Sequence, residues 1–336
     1  MKTRLLLTSL LVGLGSLLAA QAGNAAPIMI KFAHNSPVRM DASFHRYFVK
    51  FSALAEKYTN GKVAFQEFPA SQMGSDGVAA KKLQLGLIQM MDLASNNIAN
   101  LYGGFDLFTL PFLIKSMDCG VDHVLTDPKL LHEISEGAQK KAGIRVLAFE
   151  MGGMRNMMNS KHPIMSPADL KGLRMRVAKN PILLDTYHAL GADVIGVAPA
   201  ETYGALQTHM VDGNDGGAGW AYAQKLYEVQ KYYSITGHQL VVSSVIINND
   251  FWRGLPKDVQ AGLKKAALEA AVDNMHWMEG YQNKIYAIFK KAGLKFSYPD
   301  LAPFRKAVRP VWVKYADRVG GMQRIEYVES LQKTCK

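Results

Sequence analysis

The chain has 336 residues, of which 49% are hydrophobic, and its formal net charge at pH 7 is +11. This length is enough for two domains of ordinary size, each with its own core. The 39 lysine and arginine residues are spread along the chain without a dense basic run, which argues against a nucleic-acid-binding protein and indicates a mild preference for anionic ligands.

The first 25 residues have the composition of a secretory signal peptide. Lys2 and Arg4 precede an apolar run, Leu5–Ala20, and small residues follow it. This order of charged, apolar and small residues predicts export to the periplasm, with cleavage near Ala25. A membrane anchor is the alternative, but the run is short for a bilayer span. No later apolar stretch is long enough to span a membrane, so we expect the mature protein to be soluble.

Strand and helix patterns alternate along the rest of the chain. Strand patterns occur at Ile28–Ala33, Val63–Phe68, Met90–Ala94, Ile144–Phe149, Leu173–Val177, Asp193–Val197, Val241–Asn248 and Leu294–Ser297. Between most of them, apolar residues recur at three- and four-residue steps, as they do from Phe44 to Tyr58, and this spacing is typical of amphipathic helices. The alternation predicts an α/β fold with largely parallel sheets.

The longest predicted helix runs from Lys257 to about Lys291. This segment contains no proline, and its only glycines are Gly262 and Gly280. Its apolar residues keep a helical spacing. Two helices broken near Gly280 are the alternative, whereas an unbroken helix could run along both domains.

The chain contains two cysteines, Cys119 and Cys335. In an oxidising compartment they could form a disulfide that closes a very long loop. Two free thiols are equally compatible with the sequence.

A candidate ligand-binding arginine lies in a segment with clear helix and strand signals. Ser166 and Asp169 have the spacing of a capping box, and Gly172 is suited to end the short helix. In the strand that follows, Arg174 and Arg176 point to one face. A strand in an α/β sheet is usually covered on both faces, so an arginine there is costly unless a partner or ligand neutralises it. A structural ion pair, or an arginine that reaches solvent, is the alternative.

Two further segments are candidates for binding. The first, Glu150–Asn159, follows a predicted strand, and its two glycines place Arg155 on a loop at the carboxyl end of that strand, where open α/β sheets bind ligands. An ordinary exposed arginine is the alternative. The second, Leu206–Gly217, is rich in Gly, Asn and Asp, which is typical of a tight, ordered loop. It is not a calcium loop, because Ala223 stands where such a loop requires a bidentate glutamate.

Three segments carry a specific resemblance to a known family. They are SPADLKGLRMRV (166–177), GMRNMMNSKHPI (153–164) and ETYGALQTHMVDG (201–213). They resemble the corresponding segments of the DctP-type solute-binding proteins of TRAP (tripartite ATP-independent periplasmic) transporters. The likeness extends to IKFAHNSP, TNGKVAFQEFPASQMGSD, LQLGLIQMMDLA, FDLFTLPFLI and AQKLYEVQKYYSITGHQ, so it covers nearly the whole mature chain.

The resemblance implies a two-lobed periplasmic binding protein (Venus-flytrap) fold with a hinge and a long helix spanning both lobes. Lobe 1 would comprise residues 26–152 and about 239–280, and lobe 2 about 153–238 and 281–336. Ligand would bind in the cleft, the lobes would close on it, and the closed form would deliver it to two integral membrane subunits, one small and one large. The resemblance implies neither catalysis nor a cofactor.

The resemblance also implies roles for two arginines. Arg176 matches the arginine that forms a two-pronged salt bridge with the ligand carboxylate, and Arg155 matches a second, more variable contact. A planar guanidinium suits this task because it donates two parallel hydrogen bonds to a carboxylate.

The chain departs from the family pattern around the predicted site. Gly216 stands where many sialate- and dicarboxylate-binding members carry asparagine, and Pro199 replaces an aromatic residue. These departures remove support for sialic acid and leave room for a bulkier or aromatic acid, unless Asn214 and Trp220 replace the lost contacts. Asp215, in place of the family's common glutamate, would favour hydroxyl or amine groups on the ligand.

Polar residues of the first lobe complete the predicted site. We expect ligand contacts from His34, Asn35, Asn96, Asn97 and Glu150, with local turn chemistry as the alternative. No metal ligands and no cofactor are predicted.

Two other functions are compatible with an exported α/β protein. A secreted enzyme lacks local support, because the mature chain has no Gly-x-Ser-x-Gly and His132-Glu133 lacks the second histidine of a zinc protease motif. A sensor domain would share the fold, but no membrane or signalling segment follows. The ligand class stays open among sugar acids, oxo acids and aromatic acids.

Overall fold

Residues 26–335 are described by a computed structural model of the protein. The predicted signal peptide, residues 1–25, lies outside the described residues. Within the described part of the chain, no helix is long and apolar enough to cross a membrane.

One mixed sheet of nine strands runs through the molecule. The strands are β1 (Ile28–His34), β2 (Val63–Phe68), β3 (Met90–Ala94), β4 (Ile144–Asn159), β5 (Arg174–Val177), β6 (Asp193–Gly196), β7 (Gly213–Gly217), β8 (Tyr232–Asn248) and β9 (Lys295–Ser297). Their order in the sheet is β2-β1-β3-β8-β4-β7-β5-β6, with β9 paired to β8. Two groups are parallel, β2-β1-β3 and β7-β5-β6, which confirms the predicted α/β fold.

Two long antiparallel strands join the parallel groups. β4 has 16 residues and β8 has 17, and they pair along most of their length. Register shifts interrupt this pairing between Met151 and Met154 and between Arg155 and Met157. Such irregularities generally bend a strand and increase its twist, and these two lie in the strands that connect the parallel groups.

The sequence prediction was wrong for two segments next to this junction. The chain after Phe149 is predicted as a loop, but β4 continues through Arg155 to Asn159. The predicted tight loop around residues 213–217 is strand β7, in which every residue is buried. The reason is tertiary, since a Cβ at Gly213 would collide with the carbonyl oxygen of Met158 on β4. Glycine at this position lets two strands approach closely, and the segment is a strand although glycine has a low strand propensity.

Twelve α-helices of the described residues accompany the sheet. They are α1 (Ser43–Tyr58), α2 (Asp76–Gln84), α3 (Ser95–Ile98), α4 (Met117–Cys119), α5 (Pro128–Ala142), α6 (Pro181–Ala189), α7 (Thr202–Gln207), α8 (Ala218–Ala223), α9 (Asn249–Gly254), α10 (Lys257–Lys291), α11 (Ala302–Val319) and α12 (Met322–Leu331). The predicted long helix is confirmed as α10, which is one unbroken helix of 35 residues.

The hydrophobic core has three parts. The largest lies around β1–β4, the second around β5 and α6, and the third around α7 and α8. Helix α10 contributes residues from Val259 to Met278 to the first part, and Ile285 and Phe289 to the third. The helix therefore packs against two of the three parts of the core, as expected for a helix that spans two lobes.

The C-terminal helix returns to the first part of the core. α12 contributes Ile325 and Val328 to that part. Cys335 forms a disulfide with Cys119 across a sequence separation of 216 residues, which settles the alternative that the sequence left open. The lobe boundaries stay a prediction, and this packing favours placing the C-terminal helix with lobe 1 instead of lobe 2.

Candidate functional site

Local sequence signals determine where strand β5 begins. Ser166 and Asp169 form the predicted capping box on a short 3-10 helix, Pro167–Leu170. Gly172 then adopts a positive φ of 78°, and the chain enters β5 two residues later. Because side chains alternate along a strand, this start decides which face of the sheet Arg174 and Arg176 occupy.

Arg176 is a buried cation, with 2% of its surface exposed. Its Nε and Nη2 atoms donate to the carbonyl oxygen of Val197 at 3.0 and 2.7 Å. Among residues 26–335, no carboxylate oxygen lies within 4.0 Å of its guanidinium, and Nη1 makes no hydrogen bond. Burial lowers the pKa of Arg176 to about 10, so the group is still protonated at neutral pH.

Arg174, two residues earlier on the same strand, has a different environment. Its Nε and Nη2 atoms donate to the two carboxylate oxygens of Asp212, both at 2.9 Å. These hydrogen bonds lower the pKa of Asp212 to about 2. The structural ion pair that the sequence allowed for either arginine therefore applies to Arg174, and Arg176 is left without such a partner.

Asn214 lies beside Arg176 on the neighbouring strand, where their Cα atoms are paired. Its side chain is fully buried, and within the described residues both Oδ1 and Nδ2 lack a hydrogen-bond partner. Leaving a buried polar group without a partner costs about 1–3 kcal/mol. Paired residues face the same side of a sheet, so the Asn214 amide and the Arg176 guanidinium lie side by side, and both have polar atoms without a hydrogen-bond partner.

Trp220 occupies the space that Gly216 leaves free. The Arg176 guanidinium carbon lies 5.2 Å from the centroid of the Trp220 ring, within the range of a cation–π contact. A Cβ on Gly216 would lie only 2.5 Å from Trp220 Cε3. The predicted extra room at Gly216 is therefore filled by the protein's own indole ring.

Arg155 and Asp215 form a buried ion pair. Arg155 Nε and Nη2 donate to Asp215 Oδ2 and Oδ1 at 2.8 and 2.7 Å. His238 Nε2 lies 3.2 Å from Asp215 Oδ2. Burial alone would raise the pKa of Asp215, but attraction to Arg155 and the hydrogen bonds from His238 and Arg155 lower it below its ordinary value. Arg155 and Asp215, both predicted ligand contacts, therefore form an ion pair in which the two charges neutralise each other.

The asparagines of the first lobe form a polar cluster around Asp76. Asn35 Nδ2 donates to both Asp76 oxygens, at 3.1 and 3.2 Å, and Asn97 Nδ2 donates to Oδ2 at 2.7 Å. Asn96 donates to Asn97 Oδ1 at 2.7 Å. The carbonyl oxygen of Asn96 accepts from Asn180 at 3.2 Å, so the cluster touches the segment that follows β5. Their ligand contacts stay a prediction.

Glu150 is buried in a different group. Its Oε1 accepts hydrogen bonds from Ser43 Oγ, at 2.6 Å, and from Asn274 Nδ2. Its other neighbour is the buried carboxyl group of Asp92. Burial, together with the carboxyl neighbour, raises the pKa of Glu150 well above its ordinary value, and burial raises that of Asp92 to about 6. No hydrogen bond or ion pair of the described residues joins this group to Arg176.

His34 lies in a third group, where its Nε2 is 2.7 Å from Glu67 Oε1. The structure therefore brings together Arg176, Asn214, Gly216 and Trp220, and pairs Arg155 with Asp215. It places the other predicted residues in separate clusters.

Several residues with central positions are not predicted by the sequence. Asn180 caps α6 and donates to Asp106 Oδ1 at 2.7 Å, and Arg318 Nε lies 2.6 Å from Asp106 Oδ2. The Asn180-Pro181 sequence, shortly after the end of β5, is a helix-start signal that could have identified Asn180. His238 and Asp92 lie within strands and have partners far along the chain, so no local pattern points to them.

The surface of the protein also contains a groove of about 540 Å³. It is lined in part by Phe112, Lys115, Arg305, Arg309 and Trp312 and includes none of the predicted site residues. Because Arg176 and Asn214 are buried, the residues that point to ligand binding are enclosed and not on this open surface.

Comparison with known proteins places this α/β fold among the two-lobed solute-binding proteins. More particularly, residues 33–318 match the profile of DctP, the bacterial extracellular solute-binding proteins of family 7. The chain belongs to this family, whose members serve TRAP transporters as solute-binding proteins and are not enzymes. The predicted resemblance and the predicted absence of enzymatic function are confirmed.

Individual relatives agree with this membership. The chain is similar to the C4-dicarboxylate-binding periplasmic protein DctP of Rhodobacter capsulatus, at 34% identity over 310 residues, 88% of this chain and 89% of the relative. It is also similar to the 2,3-diketo-L-gulonate-binding periplasmic protein YiaO of Escherichia coli K12, at 31% identity over 73% of this chain and 74% of the relative.

Solved structures show the same fold. A TRAP periplasmic solute-binding protein from Shewanella oneidensis with bound succinate has a TM-score of 0.82 and 25% identity, covering 92% of this chain and 100% of the other. One from Roseobacter denitrificans with bound β-D-glucuronate has a TM-score of 0.82 and 24% identity, covering 91% and 99%.

Proposed function

We propose that this protein is exported to the periplasm, binds a small organic acid through a salt bridge from Arg176, and delivers it to the two integral membrane subunits of a TRAP transporter. The observation that carries the proposal is the buried Arg176, which has no carboxylate partner among residues 26–335. A cation in this position is costly unless an anion joins it.

A ligand carboxylate would complete the hydrogen bonds of Arg176. Val197 accepts from Nε and from Nη2, and this contact sets the plane of the guanidinium. Nη1 keeps both hydrogens and Nη2 keeps one, so an end-on pair of donors is available. Hydrogen bonds to charged groups contribute about 1.5–3 kcal/mol each, so a two-pronged contact would contribute about 3–6 kcal/mol.

Asn214 and Trp220 narrow the class of acid. The open amide of Asn214 requires a second polar group on the ligand, such as a hydroxyl, an oxo group or another carboxylate. Trp220 covers the Arg176 guanidinium beside Gly216, so an aromatic ring of the ligand cannot stack there. We therefore favour a small polar acid over an aromatic acid. The names of the two relatives, a C4-dicarboxylate-binding and a diketo-gulonate-binding protein, support this choice.

The lobes are proposed to move about the centres of β4 and β8. Both strands cross from one group of parallel strands to the other, and two of their three register shifts lie between Met151 and Met157. Gly153, within this stretch, has a φ of 86°. These irregularities agree with the predicted boundary near residue 152. The contacts of Asn180 with Asn96 and Asp106 would then form across the cleft when the lobes close.

Export and delivery rest on the family and on the N-terminal composition. The predicted signal peptide would be removed near Ala25 and leave the mature chain in the periplasm. The closed, ligand-bound form would then dock on the membrane subunits, so that binding and closure precede transport.

Calorimetric titration of the purified mature protein with dicarboxylates, sugar acids, oxo acids and aromatic acids tests the proposal. Arg176→Ala should abolish the binding seen in the wild type, and Arg176→Lys should weaken it because a point charge lacks the fork geometry. Arg174→Ala, on the same strand but paired to Asp212, is the matched control and should bind normally. Unchanged affinity in Arg176→Ala would overturn the assignment, and binding of neutral sugars alone would exclude a carboxylate ligand.

A further inference from the structure

A second group of donor atoms, separate from Arg176, lies at the end of β1. His34 Nε2 is 2.7 Å and His45 Nδ1 is 2.6 Å from the same atom, Oε1 of Glu67. These three donor atoms all lie within 4.8 Å of one another.

The sheet register produces this convergence. Phe32 of β1 pairs with Glu67 of the parallel strand β2. His34, two residues after Phe32, faces the same side of the sheet, because side chains alternate along a strand. Helix α1 packs on that side, and His45 in its first turn completes the group. Three segments of the chain therefore direct nitrogen and oxygen donors to one point.

We propose that His34, His45 and Glu67 form a binding site for a divalent transition-metal ion, with Zn²⁺ the best match. Two imidazoles and one carboxylate, with a fourth position left for water, are a common zinc ligand set. Calcium and magnesium prefer oxygen ligands, so two nitrogen donors disfavour them. The sequence predicts no metal here, since the three residues are separated in the chain and match no local motif.

The surroundings of the carboxylate favour a cation. Within the described residues, the ion-pair contacts of Glu67 are to the two imidazoles alone, and no lysine or arginine lies within 4.0 Å of it. The side chains of His34, His45 and Glu67 are 0%, 10% and 18% exposed, so the group is shielded from water but open at Glu67. A shielded carboxylate without a lysine or arginine partner gains more from a metal ion than an exposed one would.

The second nitrogen of His34 also fits a metal-bound state. His34 Nδ1 is buried and close to the backbone of Ser36, but it makes no full hydrogen bond in the structure. A metal on Nε2 would place the proton on Nδ1, and metal-bound histidines usually donate that proton to a carbonyl or carboxylate group.

Only small movements are needed to admit the ion. In a tetrahedral zinc site with ligand distances of about 2.0–2.2 Å, neighbouring donor atoms lie about 3.3–3.5 Å apart. The present distances from Glu67 Oε1 are 2.7 Å to His34 and 2.6 Å to His45. Side-chain rotation can supply the difference without a change in the backbone.

Titration with ZnCl₂ tests this site. The mature protein, without a histidine tag and stripped with a chelator, should bind one Zn²⁺ per chain by calorimetry. His45→Ala and Glu67→Gln should each weaken zinc binding by more than about tenfold. Losing a residue that only hydrogen-bonds to a metal ligand already weakens binding by about tenfold or more, and losing the ligand itself should weaken it further. His132→Ala, which removes an exposed histidine from α5, should bind zinc as the wild type does. Circular dichroism would establish that each variant is folded.

Cobalt provides an independent readout. Co²⁺ in place of Zn²⁺ should show the visible absorption of a four-coordinate site in the wild type, and this absorption should be lost in Glu67→Gln, which keeps the size of the side chain. Failure of the wild-type protein to bind zinc would overturn the proposal. Equal zinc affinity in His45→Ala, Glu67→Gln and the wild type would also overturn it, because the ion would then bind elsewhere.

Discussion

Replacing Gly216 with alanine probes the packing that sets the environment of Arg176. The new Cβ would lie 2.5 Å from Trp220 Cε3 and 2.7 Å from Cζ3, and Gly216 is held within a buried strand. The indole must therefore leave its position over the guanidinium. Overpacking costs about 1–3 kcal/mol, and losing a cation–π contact adds about 0.5–2 kcal/mol. We expect the free energy of unfolding to fall by about 2–4 kcal/mol.

A double-mutant cycle separates this clash from other effects. Urea unfolding would be measured for wild type, Gly216→Ala, Trp220→Ala and the double variant. Once Trp220 is an alanine, the same glycine replacement should cost less than about 1 kcal/mol, because the two sites are coupled only through the ring. Gly280→Ala is the control, since its Cβ would meet no atom within 4 Å on helix α10, and it should stabilise by about 0.5–1 kcal/mol. An equal cost of Gly216→Ala in both backgrounds would refute the reasoning.

Three further predictions concern stability. Asp215→Asn leaves Arg155 as a buried cation without its partner, so urea unfolding should show a loss of about 3–5 kcal/mol, and a loss below about 1 kcal/mol would contradict the role of the pair. Burial raises the pKa of Asp92 to about 6, above its value near 4 in the unfolded chain. The neutral Asp92 carboxyl group therefore contributes fully to the free energy of unfolding below pH 4, and this contribution is lost as the pH rises through 6. Relative to the wild type, Asp92→Asn should therefore be more stabilising at pH 8 than at pH 4, by about 3 kcal/mol at most. Thermal unfolding at the two pH values measures this, and an equal effect of the substitution at both would contradict the prediction. Cys335→Ser opens the loop closed by Cys119 and should lower stability by up to about 5 kcal/mol in calorimetry, and no change would mean that the disulfide does not form.

Local patterns in the sequence predicted those parts of the structure that depend on neighbouring residues. The capping box of Ser166 and Asp169, the glycine that ends its helix and the unbroken helix α10 follow from propensity and spacing over a few turns. The cost of burying an arginine on a covered strand singled out Arg176 together with Arg174. The family and the fold follow from segments of this kind, because each match lies within one stretch of chain.

Tertiary structure alone decided which of the predicted site residues meet. Arg174 and Arg176 share a strand, but their environments differ. The adjacent segment provides the carboxylate of Asp212 for Arg174, and for Arg176 it provides the amide of Asn214, which has no hydrogen-bond partner among the described residues. Likewise, the carboxylate of Asp215 serves Arg155, because strand pairing places them together 60 residues apart in the chain. The segment around residues 213–217 reads as a loop from its glycines, and becomes a strand because its neighbours leave no room for side chains. The hydrogen-bond and ion-pair partners in this site are set by strand register and close packing, which local sequence propensity does not predict. These partners determine the chemistry of the site.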